Sequence, residues 1–131
     1  MFTGPTAPSL ADIDQIATAA LASIPDELRR HARGVVIRVE EFPDDETLDD
    51  LGLEDPFDLL GLYRGVALSR KSVLHTPHNV DMVFLYRRPI LDYWCESGDD
   101  LGDIVRHVLI HEIGHHFGFS DADMDRIESQ T

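Results

Sequence analysis

Two long stretches of the chain repeat their apolar residues at helical spacing, and three short stretches alternate them or run them together. In the first long stretch, Leu10, Ile13, Ile16, Ala17, Ala20, Leu21 and Ile24 predict a helix, with Ser9 as its N-cap and Asp12 in the first turn. Pro25 interrupts it, and DELRRHA resumes one further turn before Gly34. In the second, Leu101, Ile104, Val105, Val108, Leu109 and Ile113 predict a helix over roughly residues 100–116. Asp99 is placed to cap it, and Gly118 to close it in the left-handed conformation. GVVIRVEEF reads as a strand with Val35, Ile37 and Val39 on one face. LYRGVALS, residues 62–69, reads as a second strand. VDMVFLYRR reads as a third, stopped by Pro89, and its run Val83-Phe84-Leu85 predicts a central strand covered on both faces.

Shorter signals fill the gaps. Asp55-Pro56 with Asp58 predicts a capped short helix, ILDYWCES another, and SDADMDRI a last one capped by Ser120 or Asp121. Residues 1–8 read as a loose tail, and residues 9–131 as a single domain.

Composition narrows the function classes. With 43% hydrophobic residues in 131, the chain can bury one modest core. A net charge of -14 would repel phosphate backbones and anionic lipid, so neither a nucleic-acid nor a membrane partner is expected. Cys95 is the only cysteine, which excludes an intrachain disulfide and suits a reducing cytoplasm. The opening residues carry no basic cluster, and Asp12 and Asp14 interrupt the apolar run behind them, so an intracellular protein is expected. Residues 40–58 hold ten acidic residues and no basic one, which reads as a solvated face or as a surface for basic partners.

The chemistry concentrates in LIHEIGHHFGFSD, residues 109–121. Helical positions four apart stack on one face, so His111 and His115 aim two imidazoles at one point, as a zinc ion requires. Glu112 lies a third of a turn away. It can take the proton of an attacking water without binding the metal, and later return it to a leaving amine. His107 extends the stripe, but about 12 Å of helix axis separates it from His115, so all three cannot hold one ion. The rival pair His107/His111 encloses no acid, which makes His107 a buried or rim histidine.

Two histidines leave the zinc set incomplete. Gly118 can turn the chain back toward the metal, and Asp121 then offers a carboxylate as third ligand, although it would also serve as a helix cap. Glu128, from a following helix, is the next candidate, and Asp123 a weaker one.

HEIGHHFGFSD with Met124 after it, FPDDETLDDLGLEDPFDLLGLYRGVALS and FLYRRPI together resemble the small bacterial zinc metallopeptidases called mini-zincins, over most of residues 30–124. The resemblance implies an α+β, reduced zincin-like fold. A small mixed β-sheet would pack against an N-terminal helix and a C-terminal HExxH helix. It also implies Zn2+ as cofactor, His111, His115 and Asp121 as ligands, and Glu112 as catalytic base. Met124 departs from the pattern, lying too close to Asp121 to form the downstream methionine turn of metzincins.

The expected activity is therefore zinc-dependent hydrolysis of a peptide or unfolded-protein substrate by a monomer. The peptide would lie along strand 62–69, where Gly65, Ala67 and Ser69 leave room. His75, His78, Tyr86 and Tyr93 are candidate donors to an oxyanion. His116 is expected beside the site or in the core, Trp94 and Phe117 in the core, Arg87 and Arg88 in ion pairs, and Cys95 inert. The alternatives are another zinc hydrolase, of which a nuclease lacks the basic track, or a non-catalytic zinc-binding domain or acidic partner-binding module on the same scaffold.

Overall fold

The computed structural model describes residues 6–67 and 79–130. Helix α1, Leu10–Ser23, starts on a reciprocal cap: Ser9 Oγ accepts from the Asp12 amide at 3.0 Å, and Asp12 accepts from the Ser9 amide at 2.9 Å. Pro25 then caps a single turn, α2 (Asp26–Arg29), and a 3₁₀ turn leads through Gly34, at φ 83°, into strand β1, Val36–Glu40.

The acidic run is more ordered than its composition suggests. Asp44 caps α3, Asp45–Leu51, by accepting from the Thr47 amide at 2.8 Å. Gly52, at φ 68°, ends the helix, and the Leu53 amide closes back on the Leu48 carbonyl at 2.9 Å. Only Thr47 and Leu48 of α3 are buried, so the carboxylates around them form a solvated face. Asp55 caps a 3₁₀ turn over Pro56–Asp58, a shorter element than a helix.

Strands β2, Gly61–Ala67, and β3, Asn79–Tyr86, complete a three-stranded sheet in the order β1-β3-β2. β1 runs parallel to β3, with Ile37 opposite Val83 and Val39 opposite Leu85, while β2 runs antiparallel, with Tyr63 opposite Val83. The expected mixed sheet is present and β3 is central. The expectation of cover on both its faces is corrected. Val83 and Leu85 are sealed against the helices, but Met82 and Phe84 on the opposite face are only partly buried.

Strand β3 passes directly into α4, Arg87–Ser97, with Pro89 in its first turn, where its missing N–H costs nothing. Arg87 reaches Glu41 at 2.9 Å and the Pro8 carbonyl at 2.6 Å, and Arg88 lies over the Phe42 ring. The next helix, α5 (Leu101–His116), is capped by Asp100 and not by Asp99. The Asp99 amide is turned back onto Ser97 Oγ, and Asp100 Oδ2 accepts from the Asp103 amide at 3.1 Å. Gly118, at φ 79°, reverses the chain, and Ser120 caps α6, Asp121–Glu128.

Helix α1 packs on β1 and α5, and α5 in turn on β2, β3 and α6. The core between them holds Ile13, Leu28, Val83, Leu85, Ile90, Leu109, Ile110, Ile113, Met124 and Ile127, all at 0% exposure. Val35, Ile37 and Val39 pack against it from one side of β1, as their alternation requires. This is the reduced α+β arrangement expected from the sequence, a small mixed sheet packed against an N-terminal and a C-terminal helix. Among the described residues, no helix is long and apolar enough to cross a membrane.

Candidate metal centre

Glycine sets how closely two elements, β2 and α6, approach α5. A Cβ on Gly61 would sit 2.5 Å from Val108 Cγ1 and 3.0 Å from the Phe84 carbonyl, so the start of β2 lies directly against α5. A Cβ on Gly114 would overlap the Met124 side chain, so α6 crosses α5 at equally close range. Met124 is fully buried at that crossing. It therefore does a packing job, consistent with its misplacement for a methionine turn.

Between these two contacts, α5 exposes its histidine stripe. His111 is the least exposed, at 22% of its side chain, against 51% for His107 and 57% for His115. The His107 and His111 rings lie 4.0 Å apart, and those of His111 and His115 5.8 Å apart. Helix α6 brings one carboxylate to each end of the stripe. Asp121 Oδ1 lies 3.5 Å from His115 Nε2. Glu128 lies 3.3 Å from His111 Nε2 and 2.7 and 2.8 Å from His107 Nδ1. His107, His111 and Glu128 each turn a ligand atom to within 4.8 Å of the others, the one such group of three among the described residues.

Glu112 points the other way. Its Oε1 accepts the backbone N–H of Tyr63, on β2, at 3.3 Å. Tyr86 donates its amide to Leu60, which assigns the even-numbered residues of β2 to the ladder with β3. The amides of Gly61, Tyr63 and Gly65 therefore face the open edge, and Glu112 occupies the middle one. Burial holds the Glu112 carboxyl above the usual glutamate range, while the Tyr63 amide and His115 pull it down.

Tyr63 joins several parts of this edge. Its ring stacks on His116 at 3.9 Å, and its hydroxyl donates to Asp81 at 2.8 Å. Burial, followed by Asp81, raises its pKa. His116 is exposed against Tyr63 and not in the core, and Phe117, 36% exposed, is not a core residue either. His116 is the last residue of α5 and Phe117 its C-cap, and the Phe117 ring lies 5.2 Å from that of His31 and 5.9 Å from that of Tyr63. Trp94 packs partly buried against the core, as expected.

A chain with this edge strand, this glutamate and this stripe of histidines matches a known pattern: the sequence profile of the zincin-like metallopeptidases covers residues 32–131. The chain belongs to the zincin-like metallopeptidase family. No curated protein matches it.

The donor set of this zincin-like chain fits zinc. Imidazole nitrogen and carboxylate oxygen are its common ligands, and a tetrahedral set with bonds of about 2.0 Å has edges of about 3.3 Å. The His111–Glu128 separation is 3.3 Å and the His115–Asp121 separation 3.5 Å, close to that length, but among the described residues it is His107 and Glu128, and not His115 and Asp121, that converge with His111. The His107–Glu128 contact is shorter and is a hydrogen bond from the ring to the carboxylate.

Sequence reasoning missed Tyr63, because its part is played by a backbone amide whose direction depends on strand register. Glu128, the next candidate carboxylate after Asp121, lies beside His111 and His107. Of the oxyanion candidates, His75 and His78 lie outside the described residues, as does Ser69 of the substrate edge. Tyr86 is 2% exposed, with its hydroxyl pushed up to about 12 by burial, and so is withdrawn from any substrate. Tyr93 is exposed and lines a cavity of about 510 Å³ together with Leu60, Asp103, His107 and Glu128.

Proposed function

We propose that the chain is a zinc-dependent peptidase in which His111, His115 and Asp121 hold the metal and Glu112 is the general base. The observation that supports it most is the Tyr63–Glu112 contact. It ties a partly buried carboxylate on the histidine-bearing helix to an outward amide of an edge strand. A peptide pairing along that edge would bring its backbone to Glu112.

A bound zinc ion would polarise the scissile carbonyl and make water acidic enough to be deprotonated near neutral pH. The chain's own residues do the rest. Glu112 takes the water proton and passes it to the leaving amine, a transfer helped by a carboxyl pKa already raised by burial. The Tyr63 amide orients the carboxylate. Asp121, the first residue of α6 after its cap Ser120, lies 3.5 Å from His115 because Gly118 turns the chain. Glu128, beside His111, is the other carboxylate within reach of the stripe.

The test is hydrolysis of a fluorogenic peptide library by zinc-loaded protein, wild type against Glu112→Gln, with zinc content measured in both. Loss of about 10²–10⁴-fold in turnover with zinc retained is expected. Equal turnover in both proteins, or none in the wild type across the library, would overturn the peptidase reading and favour a non-catalytic zinc domain.

A further inference from the structure

The stripe on α5 is longer than one metal ion needs, and α6 supplies two carboxylates where one would suffice. We infer that His107, His111 and Glu128 form a second position for a divalent cation, one helical turn before the proposed catalytic one and in competition with it for His111.

Three features build this position. Its donors already converge to within 4.8 Å of one another: Glu128 is 3.3 Å from His111 Nε2, and its contact with His107 Nδ1, at 2.7 Å, has to open by about half an ångström to reach a tetrahedral edge. Glu128 is held there from behind. Arg106 donates to the Glu128 carbonyl at 2.8 Å, to the Gln130 carbonyl at 2.9 Å and to Ser23 Oγ at 3.2 Å, which fixes the end of α6 against α5 and α1. That end is a helix C-terminus, where a cation is favoured.

Two imidazoles and one carboxylate select zinc, cobalt or nickel over calcium or magnesium. The position opens on the cavity lined by Tyr93 and Asp103, which leaves room for water or another ligand. Glu112 faces β2 and not this side, so a cation held here lies away from the proposed base. On the peptidase reading, which this competition for His111 assumes, metal in the second position is bound but unproductive.

The experiment uses His115→Ala/Asp121→Ala, which removes the proposed catalytic set and leaves this one whole. Zinc titration by calorimetry and the visible spectrum of the cobalt form are read after circular dichroism has established the fold. The expected result is about one metal per chain, weakened more than about tenfold when either His107→Ala or Glu128→Gln is added. A folded His115→Ala/Asp121→Ala protein that binds no metal would overturn the inference. So would binding that neither added substitution changes. If the double variant does not fold, His115→Gln alone takes its place with the same readings. Peptide hydrolysis by the wild type is scored separately, so a chain without peptidase activity can still show this position, and an active one can lack it.

Discussion

The amide of Tyr63 and the carboxylate of Glu112 meet at 3.3 Å across 49 residues of sequence. This one contact joins the sheet edge to the histidine-bearing helix. It also places an ionisable group in a partly desolvated position, with only one backbone donor to stabilise its charge. The consequences can be measured without any substrate.

Glu112 makes stability depend on pH. Its carboxyl ionises near 4.5 in the unfolded chain and at a higher pH in the fold, chiefly because of burial. The folded state therefore favours the protonated form. That contribution is complete below 4.5 and is lost as pH rises through the raised value. Metal-free Glu112→Gln is expected to be more stable than metal-free wild type near pH 7, with the gap closing near pH 4. Urea midpoints in the presence of a chelator decide it: identical midpoints at neutral pH would mean that the partly buried carboxylate carries no strain.

Gly61 lets β2 approach α5. Gly61→Ala would drive a methyl group into Val108 and the Phe84 carbonyl, at a cost of about 1–3 kcal/mol. The melting temperature should fall by several degrees, and Val108→Ala should recover part of the loss in the double variant. Purely additive effects would show that the two residues do not share the contact.

Gly114 plays the same part for α6. Its substitution by Ala meets the buried Met124 side chain, and about 1–3 kcal/mol of stability should be lost. Displacement of α6 also carries Asp121 and Glu128 away from the histidines, so zinc affinity should fall although no ligand has been altered. Calorimetric zinc titration of folded Gly114→Ala at wild-type affinity would contradict this.

Arg106 makes three hydrogen bonds that a lysine cannot reproduce together. Arg106→Lys is expected to cost about 1–3 kcal/mol and to speed amide exchange in the last turn of α6. Unchanged exchange at Ile127 to Gln130 would mean that the terminus is held by packing alone.

Much of this molecule is legible in residue order because much of its structure is local. The periodicity of Ile13, Ala17 and Ala20 and of Leu101 through Ile113 marks α1 and α5. Ser9 and Gly118 mark ends, because a hydroxyl cap and a left-handed glycine act within a few residues. The spacing of His111 and His115 places both on one face of any helix that contains them. Helix α3 was harder to see. Its apolar signal is essentially Leu48, and its N-cap lies inside a run of acids that each could have capped it.

Residue order alone therefore determined the main helices α1 and α5, the strand alternation, the HExxH stripe and the acidic surface, all set by interactions within a few residues of chain. Tertiary structure decided the order of the strands, the outward direction of the Tyr63 amide, and which carboxylate meets which histidine. Those depend on how closely elements far apart in sequence can approach, and that distance is set at Gly61 against Val108 and Gly114 against Met124.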